Sequence, residues 1–417
     1  MTITEPAPSC VAAAGRRITR RLVPAQALYI IGSSVDLTLT GIVGSRLAPV
    51  PELATLPFSL IPIVAVSTTF LLSRWIGRRG YRRVFTAAAA FAIVAGTVSA
   101  TAVQLSQFWL FCVGTGLIGV YQAGAGYYRY AAAEANPDER ARAVSTVLAG
   151  GLVAALLGPF LATAVSGLTA TPFVASYLLV AVFGALACVW NASLPAALAR
   201  AVVQRMPSDE GRDDDGPAAR PRRVLWRQPV LLLGVASGAL AAVAMTAMMT
   251  AGPIAGIAMG HTESDAALAV QLHMVGMFAP GFIVARWIGR IGERRVAAIG
   301  AVIIVGAGIA AAVSTQMWAF LIAMTAVGVG WNLASSGGSA MVTMAYRRAE
   351  RGRVQPIAEI VTTAFQVAGS LSAGLLATAA GWHALGIAVA VLAVVVSAVL
   401  VVRHGWGGRC AERGGAA

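Results

Sequence analysis

The chain has 417 residues, of which 58% are hydrophobic and 12% are charged, and its formal net charge is +14 at pH 7. Soluble globular domains average roughly 25% charged residues. Apolar runs of about 20 residues in so weakly charged a chain exclude a water-soluble enzyme and a disordered protein. Lysine is absent and the arginines fall in short clusters between the apolar runs, which excludes a nucleic-acid binder. The sequence therefore predicts an all-α integral membrane protein.

Twelve apolar segments are long enough to cross a bilayer as helices, and they fall into two groups of six. The first group is Leu22–Leu47, Leu53–Ser73, Val84–Val103, Phe108–Tyr130, Val144–Leu168 and Phe173–Trp190. The second group is Val230–Ala258, Ala266–Trp287, Val296–Val313, Trp318–Tyr346, Ile357–Ala380 and Ala384–Val402. The corresponding domains are a tail at 1–21, a six-helix bundle at 22–198, a linker at 199–228, a second bundle at 229–403 and a tail at 404–417.

Arginine clusters follow the second, fourth, eighth and tenth predicted spans, whereas the alternate loops contain only Arg46. Arginine and lysine accumulate in cytoplasmic loops, so we expect both termini in the cytoplasm of a bacterium and the spans in its cytoplasmic membrane. The stretch between the two groups is rich in Asp, Arg, Pro and Gly. That composition favours a solvated linker over a metal-binding acidic tract.

An internal repeat relates the two halves. SRWIGRRGYRRV at 73–84 matches ARWIGRIGERRV at 285–296, and the same register aligns Gly116 with Gly328. Both segments resemble the loop motif G-x-x-x-D-R-x-G-R-R of the major facilitator superfamily, with Gly77 and Gly289 at the acidic position. The resemblance implies twelve transmembrane helices in two six-helix bundles and transport by alternating access. Because the acidic residue is missing, we do not expect the usual charge relay in these loops.

Few polar side chains lie within the predicted spans. Asp36 lies midway along the first span, where a carboxylate costs roughly 2.5–3.5 kcal/mol on insertion scales. It is a candidate for proton coupling or cation attraction, with a satisfied structural hydrogen bond as the alternative. Gln122, Arg129 and Asn332 are further candidates for coupling or solute binding. Arg129 and Glu359 lie near the cytoplasmic ends of their spans, where snorkelling or a local ion pair is the preferred explanation.

Soft donor atoms concentrate in the second half, where ten of the twelve methionines follow residue 240. Met245 and Met249 share one helical face of the seventh span, and His273 and Met277 share one face of the eighth. In an antiparallel hairpin centred on residue 261, the pairs lie at matching depths if the helix continues through Pro253. Thioether and imidazole groups suit copper, and thioethers select Cu(I). Packing is the competing explanation for each methionine.

This arrangement resembles the CcoA-like (CalT) copper importers of the superfamily, whose ligand motifs are MxxxM in span seven and HxxxM in span eight. By position, the resemblance implies Met245, Met249, His273 and Met277 as copper ligands. YRYAAAE at 128–134 and GWN at 330–332 are similar to segments of the same family. Relatives without the Met/His pairs are thought to carry riboflavin-like cargo.

The leading hypothesis is a copper importer, with copper as transported substrate and no resident cofactor. The alternative is a proton-coupled transporter of a small organic solute, either a drug exporter or a carrier of riboflavin-like cargo. It would use Asp36, Gln122 and the aromatic residues of span four. We expect the lipid bilayer as surroundings, with no nucleic acid and no obligatory protein partner. A receptor is disfavoured because the sequence shows no additional soluble domain to transmit a signal. An enzyme is disfavoured because the loops show no nucleophile–base group and no cofactor motif.

Overall fold

The computed structural model describes residues 8–136, 139–195, 198, 220–347 and 350–402, and within these ranges it contains helices but no strands. The first half forms α1 (Pro8–Leu47), α2 (Leu56–Arg79), α3 (Tyr81–Gln104), α4 (Phe108–Ala125), α5 (Tyr128–Ala135), α6 (Arg140–Ala164) and α7 (Val174–Ala192). The second half forms α8 (Arg222–Leu225), α9 (Pro229–Ala258), α10 (Glu263–Phe278), α11 (Gly281–Ile291), α12 (Glu293–Val313), α13 (Met317–Ala345) and α14 (Arg351–Val402). A short 3-10 turn, Pro51–Leu53, precedes α2.

These helices confirm the predicted membrane-protein class. In the described part of the chain, ten segments are long and apolar enough to cross a membrane, and α10 with α11 gives an eleventh span with a 48° bend. Helix α6, with 25 residues, occupies the position of the predicted fifth span. The last two predicted spans are continuous in α14, which is kinked at Gly381 because that residue has a φ of 77°. The direction in which the chain crosses the membrane stays a prediction.

The described residues divide into two compact units. The first takes in the described residues of 1–214 together with Thr262–Met274, and the second takes in those of 215–261 and 275–417. The sequence placed all of α10 in the second bundle, whereas its first twelve residues group with the first unit. Residues 199–219 of the predicted linker, and the tail at 404–417, lie outside the described residues.

The internal repeat has a structural counterpart at the two arginine-rich turns. Gly80 ends α2 and starts α3 with a φ of 77°, and Gly292 does the same between α11 and α12 with a φ of 87°. These glycines occupy the same position of the repeat. A side chain with a Cβ atom is strained in this left-handed region, so the repeat preserves the residue that the turn requires.

Close helix packing also recurs at equivalent positions. A Cβ atom on Gly96 of α3 would lie 2.5 Å from the backbone nitrogen of Ala181 in α7, and one on Gly308 of α12 would lie 2.7 Å from that of Ala390 in α14. Small residues at such crossings let helix backbones approach in a membrane. The interior of the first unit is otherwise filled by aliphatic side chains together with large aromatic ones, which include the fully buried Phe85.

Candidate functional site

The two methionines of the predicted seventh span lie in α9. This helix continues through Pro253 to Ala258, as the hairpin argument required. Met245 and Met249 are both buried, and the hydroxyl of Thr246 lies 4.0 Å from the Met245 sulfur. Because residues four apart share a helix face, the two thioethers are placed on one side of α9.

Met277 lies near the end of α10 and is also buried. Its backbone carbonyl accepts a 2.6 Å hydrogen bond from the side-chain amide of Asn332 in α13. Gly276 packs against α13 as well, since a Cβ atom there would lie 2.6 Å from the carbonyl oxygen of Thr325. Asn332, predicted as a coupling or solute-binding residue, therefore uses its amide nitrogen to hold the end of α10 against α13.

His273 is completely buried, and it lies in the part of α10 that groups with the first unit. Met245, Met249 and Met277 belong to the second unit. Across the described residues, no three His, Cys, Asp or Glu side chains form a group that could hold a metal ion. A copper site would therefore depend on the thioethers, and the four-residue ligand set stays a prediction.

Asp36 lies in the first unit, where its side chain is 1% exposed. Thr40 donates a 2.7 Å hydrogen bond to the Asp36 backbone carbonyl, and its hydroxyl lies 3.5 Å from that of Tyr177. The carboxylate oxygen Oδ2 has no protein hydrogen-bond partner. A buried carboxyl oxygen without a donor is costly when the group is charged. The role of Asp36 in proton coupling or cation attraction stays a prediction.

The other two candidates of the first half have different surroundings. Gln122 is half-buried near the end of α4, just before the break that separates α4 from α5. Arg129 is exposed on α5, and its guanidinium lies 4.9 Å from the ring centre of Tyr130. The sequence favoured snorkelling or a local ion pair for Arg129, whereas the structure shows a contact with a neighbouring aromatic ring.

The sequence pointed to the aromatic residues of the fourth span, but it did not identify the rings that they contact in the first unit. The rings of Tyr29 in α1 and Tyr121 in α4 meet edge to face, with their centres 5.2 Å apart. Nearby in the chain, Tyr128 packs edge to face on Phe85 at 4.6 Å and accepts a 2.8 Å hydrogen bond from Asn191. Tyr29 is half-buried. Aromatic faces with adjacent polar groups suit a planar organic solute.

The sequence matches the Major Facilitator Superfamily over residues 22–277 and 236–406. These two stretches overlap and together include all of the predicted spans. The chain belongs to the major facilitator superfamily. Its members' two-bundle architecture agrees with the internal repeat and with the paired glycine turns described above. The protein is therefore a multi-pass membrane transporter and not an enzyme.

The comparison with curated proteins gives a relative of similar length. The riboflavin transporter RfnT of Brucella anthropi is 33% identical over 403 residues, which cover 96% of this chain and 99% of that protein. An uncharacterized MFS-type transporter of Bacillus subtilis, YdeG, is 21% identical over 90% of this chain and 89% of its own length. The first relative is named for riboflavin rather than copper, so the comparisons support the superfamily and leave the CcoA-like assignment unsupported.

Solved structures show the same fold at low sequence identity. The nucleoside transporter NupG superposes with a TM-score of 0.66 at 14% identity, over 92% of this chain and 98% of that one. The human organic anion transporter MFSD10 also gives a TM-score of 0.66 at 14% identity, over 95% and 100% of the two chains. At this identity the likeness shows the fold alone.

Proposed function

We propose that this protein is a secondary transporter of a small aromatic organic solute of the riboflavin type, coupled to protons through Asp36. The main support is the 33% identity with the riboflavin transporter RfnT, which extends over 96% of this chain and 99% of the relative. This proposal reverses the order of the two hypotheses drawn from the sequence. The Met/His pattern pointed to copper, whereas the full-length similarity favours the organic solute.

The aromatic group of the first unit supports a planar cargo. Riboflavin carries a flat, three-ring system with polar atoms along its edge, and such a ring stacks on aromatic side chains. The half-buried Tyr29 contacts Tyr121 edge to face, and Gln122 follows directly in α4 with a half-buried amide. We propose that Tyr29 contacts the cargo ring and that the Gln122 amide hydrogen bonds its polar edge.

Asp36 supports coupling to a proton. It is buried in α1, the same helix that carries Tyr29, and its Oδ2 atom accepts no hydrogen bond from the protein. Intramembrane ionisable groups commonly serve in ion or proton pathways. Protonation of Asp36 would remove the cost of a buried charge, so cycles of proton uptake and release would favour alternate states of the transporter.

Copper transport remains a second proposal because of one specific observation. Three thioethers, those of Met245, Met249 and Met277, are buried in one unit, and His273 is completely buried as well. Buried methionines are common packing residues, so burial alone does not choose between the two cargoes. A direct comparison of the cargoes is therefore required.

The test uses purified full-length protein in proteoliposomes. Vesicles loaded with unlabelled riboflavin are diluted into radiolabelled riboflavin, because this exchange does not depend on the net direction of transport. A parallel experiment measures ⁶⁴Cu exchange under reducing conditions. Both experiments compare Gln122→Leu with three variants of the predicted copper ligands, Met249→Leu, His273→Leu and Met277→Leu. We call these three the methionine-site variants.

Riboflavin exchange that is abolished by Gln122→Leu and kept by the three methionine-site variants is the expected result. Copper exchange that the methionine-site variants abolish, without any riboflavin exchange, would instead establish the second proposal. Empty vesicles and vesicles with Met344→Leu serve as controls, since Met344 is 67% exposed and belongs to neither proposed site.

A further inference from the structure

An open crevice lies within the second unit, between α9, α13 and α14. Its volume is about 80 Å³, and its lining includes Gly234 of α9, Ser339 and Thr343 of α13, and Glu359 and Thr362 of α14. We call it the Glu359 crevice. Its lining residues do not include Asp36, the methionine pairs or the aromatic group. The proposed function does not use this crevice.

Glu359 is the charged residue of the span Ile357–Ala377. The side chain is exposed and lines the crevice, and its carboxylate forms no ion pair or hydrogen bond with any side chain that the structure describes. Glu359 is the third residue of this span, so its carboxylate lies near the end of the apolar segment, where a polar cavity or a positive charge can accommodate it. The crevice supplies the cavity, and a cation would supply the charge.

Hydroxyl oxygens complete the polar wall. The Thr343 hydroxyl donates a 2.8 Å hydrogen bond to the carbonyl of Ala340, and the Thr362 hydroxyl donates one of 2.9 Å to that of Ala358. Because each hydroxyl proton is directed to the backbone, the oxygen lone pairs stay available as ligands. Ser339 adds a third hydroxyl to the lining. An all-oxygen donor set with a single negative charge suits a hard monovalent cation and not a soft metal.

The size of the crevice agrees with this ligand class. A cavity needs roughly 10–15 Å³ of such volume to hold one water, so the crevice has room for a small hydrated ion. The space persists because helices α9 and α13 cross at glycines. A Cβ atom on Gly234 would lie 2.7 Å from the carbonyl oxygen of Gly338, and side chains at this crossing would fill the space.

We propose that the Glu359 crevice binds a small hard monovalent cation of the Na⁺ class, with the Glu359 carboxylate as the charged ligand and the hydroxyls of Thr362, Thr343 and Ser339 as neutral ligands. The second unit then carries an ion site of its own, distinct from the proton site at Asp36. The proposal does not depend on which solute the protein transports.

The test measures equilibrium binding of ²²Na⁺ to the purified full-length protein, without cargo and with choline chloride holding the ionic strength constant. Wild type should bind Na⁺ saturably. Glu359→Gln should weaken binding at least about tenfold, because it removes the charged ligand. Thr362→Val should weaken it by a smaller factor, and Glu359→Asp should keep part of the affinity.

Glu52→Gln is the matched control, since Glu52 is an exposed glutamate of the 3-10 turn in the first unit. It should bind Na⁺ as wild type does. Should Glu359→Gln fail to fold, Glu359→Asp and Thr362→Val carry the test. The proposal is overturned if wild type shows no saturable binding, or if folded Glu359 and Thr362 variants bind as wild type does. Because cargo is absent, either result leaves the proposed function untouched.

Discussion

Arg220 and Glu350 form a bidentate ion pair within the second unit. The guanidinium donates hydrogen bonds of 2.9 and 2.8 Å to the two carboxylate oxygens of Glu350, which is fully buried. The backbone nitrogens of Arg220 and Arg347 donate two more, of 2.7 and 2.8 Å. Arg220 also binds the carbonyl of Ala345 at the end of α13. Through these hydrogen bonds, the pair connects the segment before α8 with the turn between α13 and α14.

The hydrogen bonds from Arg220 hold the pKa of Glu350 well below its ordinary value. We therefore expect Glu350→Gln to lower the melting temperature of the purified protein at pH 7, because it leaves Arg220 facing a neutral amide. The stabilisation from a carboxylate with a lowered pKa is complete above the pKa of the unfolded state, about 4.3, and is lost as the pH falls toward the folded-state value. The difference between wild type and variant should therefore shrink in acid.

Glu139→Gln is the control for this measurement. Glu139 also pairs with an arginine, Arg142, at 3.3 Å, but both side chains are exposed to solvent. Exposed pairs contribute little to stability, so this variant should melt as wild type does. Equal melting temperatures for wild type and Glu350→Gln at pH 7 would contradict the stabilising role of the pair.

Asp36→Asn should uncouple transport from the proton gradient. The amide resembles a protonated carboxyl but cannot release a proton, so concentrative transport driven by an imposed pH gradient should fall at least about tenfold, or about 1.4 kcal/mol. Exchange without net proton movement should persist. The measurement compares both modes in proteoliposomes. Thr38→Val is the control, because its hydroxyl only bonds the Ser34 carbonyl at 2.6 Å in the same helix.

Tyr29→Leu should weaken riboflavin binding if its ring contacts the cargo, whereas Tyr29→Phe should keep most of the affinity. An aromatic pair contributes about 0.5–1.5 kcal/mol beyond the burial of its area, which predicts a change of a few-fold to about tenfold in the dissociation constant. Quenching of riboflavin fluorescence by the purified protein measures it. Trp109→Leu is the control, since Trp109 is 62% exposed. Indistinguishable binding by Tyr29→Leu would exclude the proposed contact.

Gly96→Leu and Gly308→Leu should prevent normal folding. Each new side chain would meet backbone of the facing helix, which cannot move aside as a flexible side chain can. The expected result is little monodisperse protein in gel filtration. Gly77→Ala and Gly289→Ala are the controls, because a Cβ atom at either position meets no other atom within 4 Å. Normal yields of the leucine variants would show that the helices at these crossings lie farther apart than the Cβ distances indicate.

The sequence predicted the membrane spans well. Eleven predicted spans have counterparts that satisfy length and hydropathy, and α6 occupies the position of the remaining one, the fifth. Apolar length is a local property that can be read along the chain. The break between α4 and α5 and the bend between α10 and α11 were missed, since they depend on packing against other helices.

The candidate site was predicted less completely. Asp36 was found because one carboxylate in an apolar run is conspicuous, whereas the Tyr29–Tyr121 contact joins two helices 92 positions apart and leaves no pattern in either. Asn332 was named as a candidate for coupling or solute binding, and that role stays a prediction. Only the structure shows that its amide nitrogen bonds the Met277 carbonyl. A polar residue in a span indicates that its side chain has a hydrogen-bond partner, but the sequence does not identify that partner.

The sequence by itself determined that this protein is a helical membrane transporter with a repeated architecture, because hydropathy, arginine clusters and glycine turns act over short stretches of chain. Only the tertiary structure decided that Glu350 is buried against Arg220, that Arg129 contacts Tyr130, and that Glu359 faces an open crevice. Each of these depends on which helix faces are brought together. That choice is made by close packing between segments distant in the chain, so no local pattern records it.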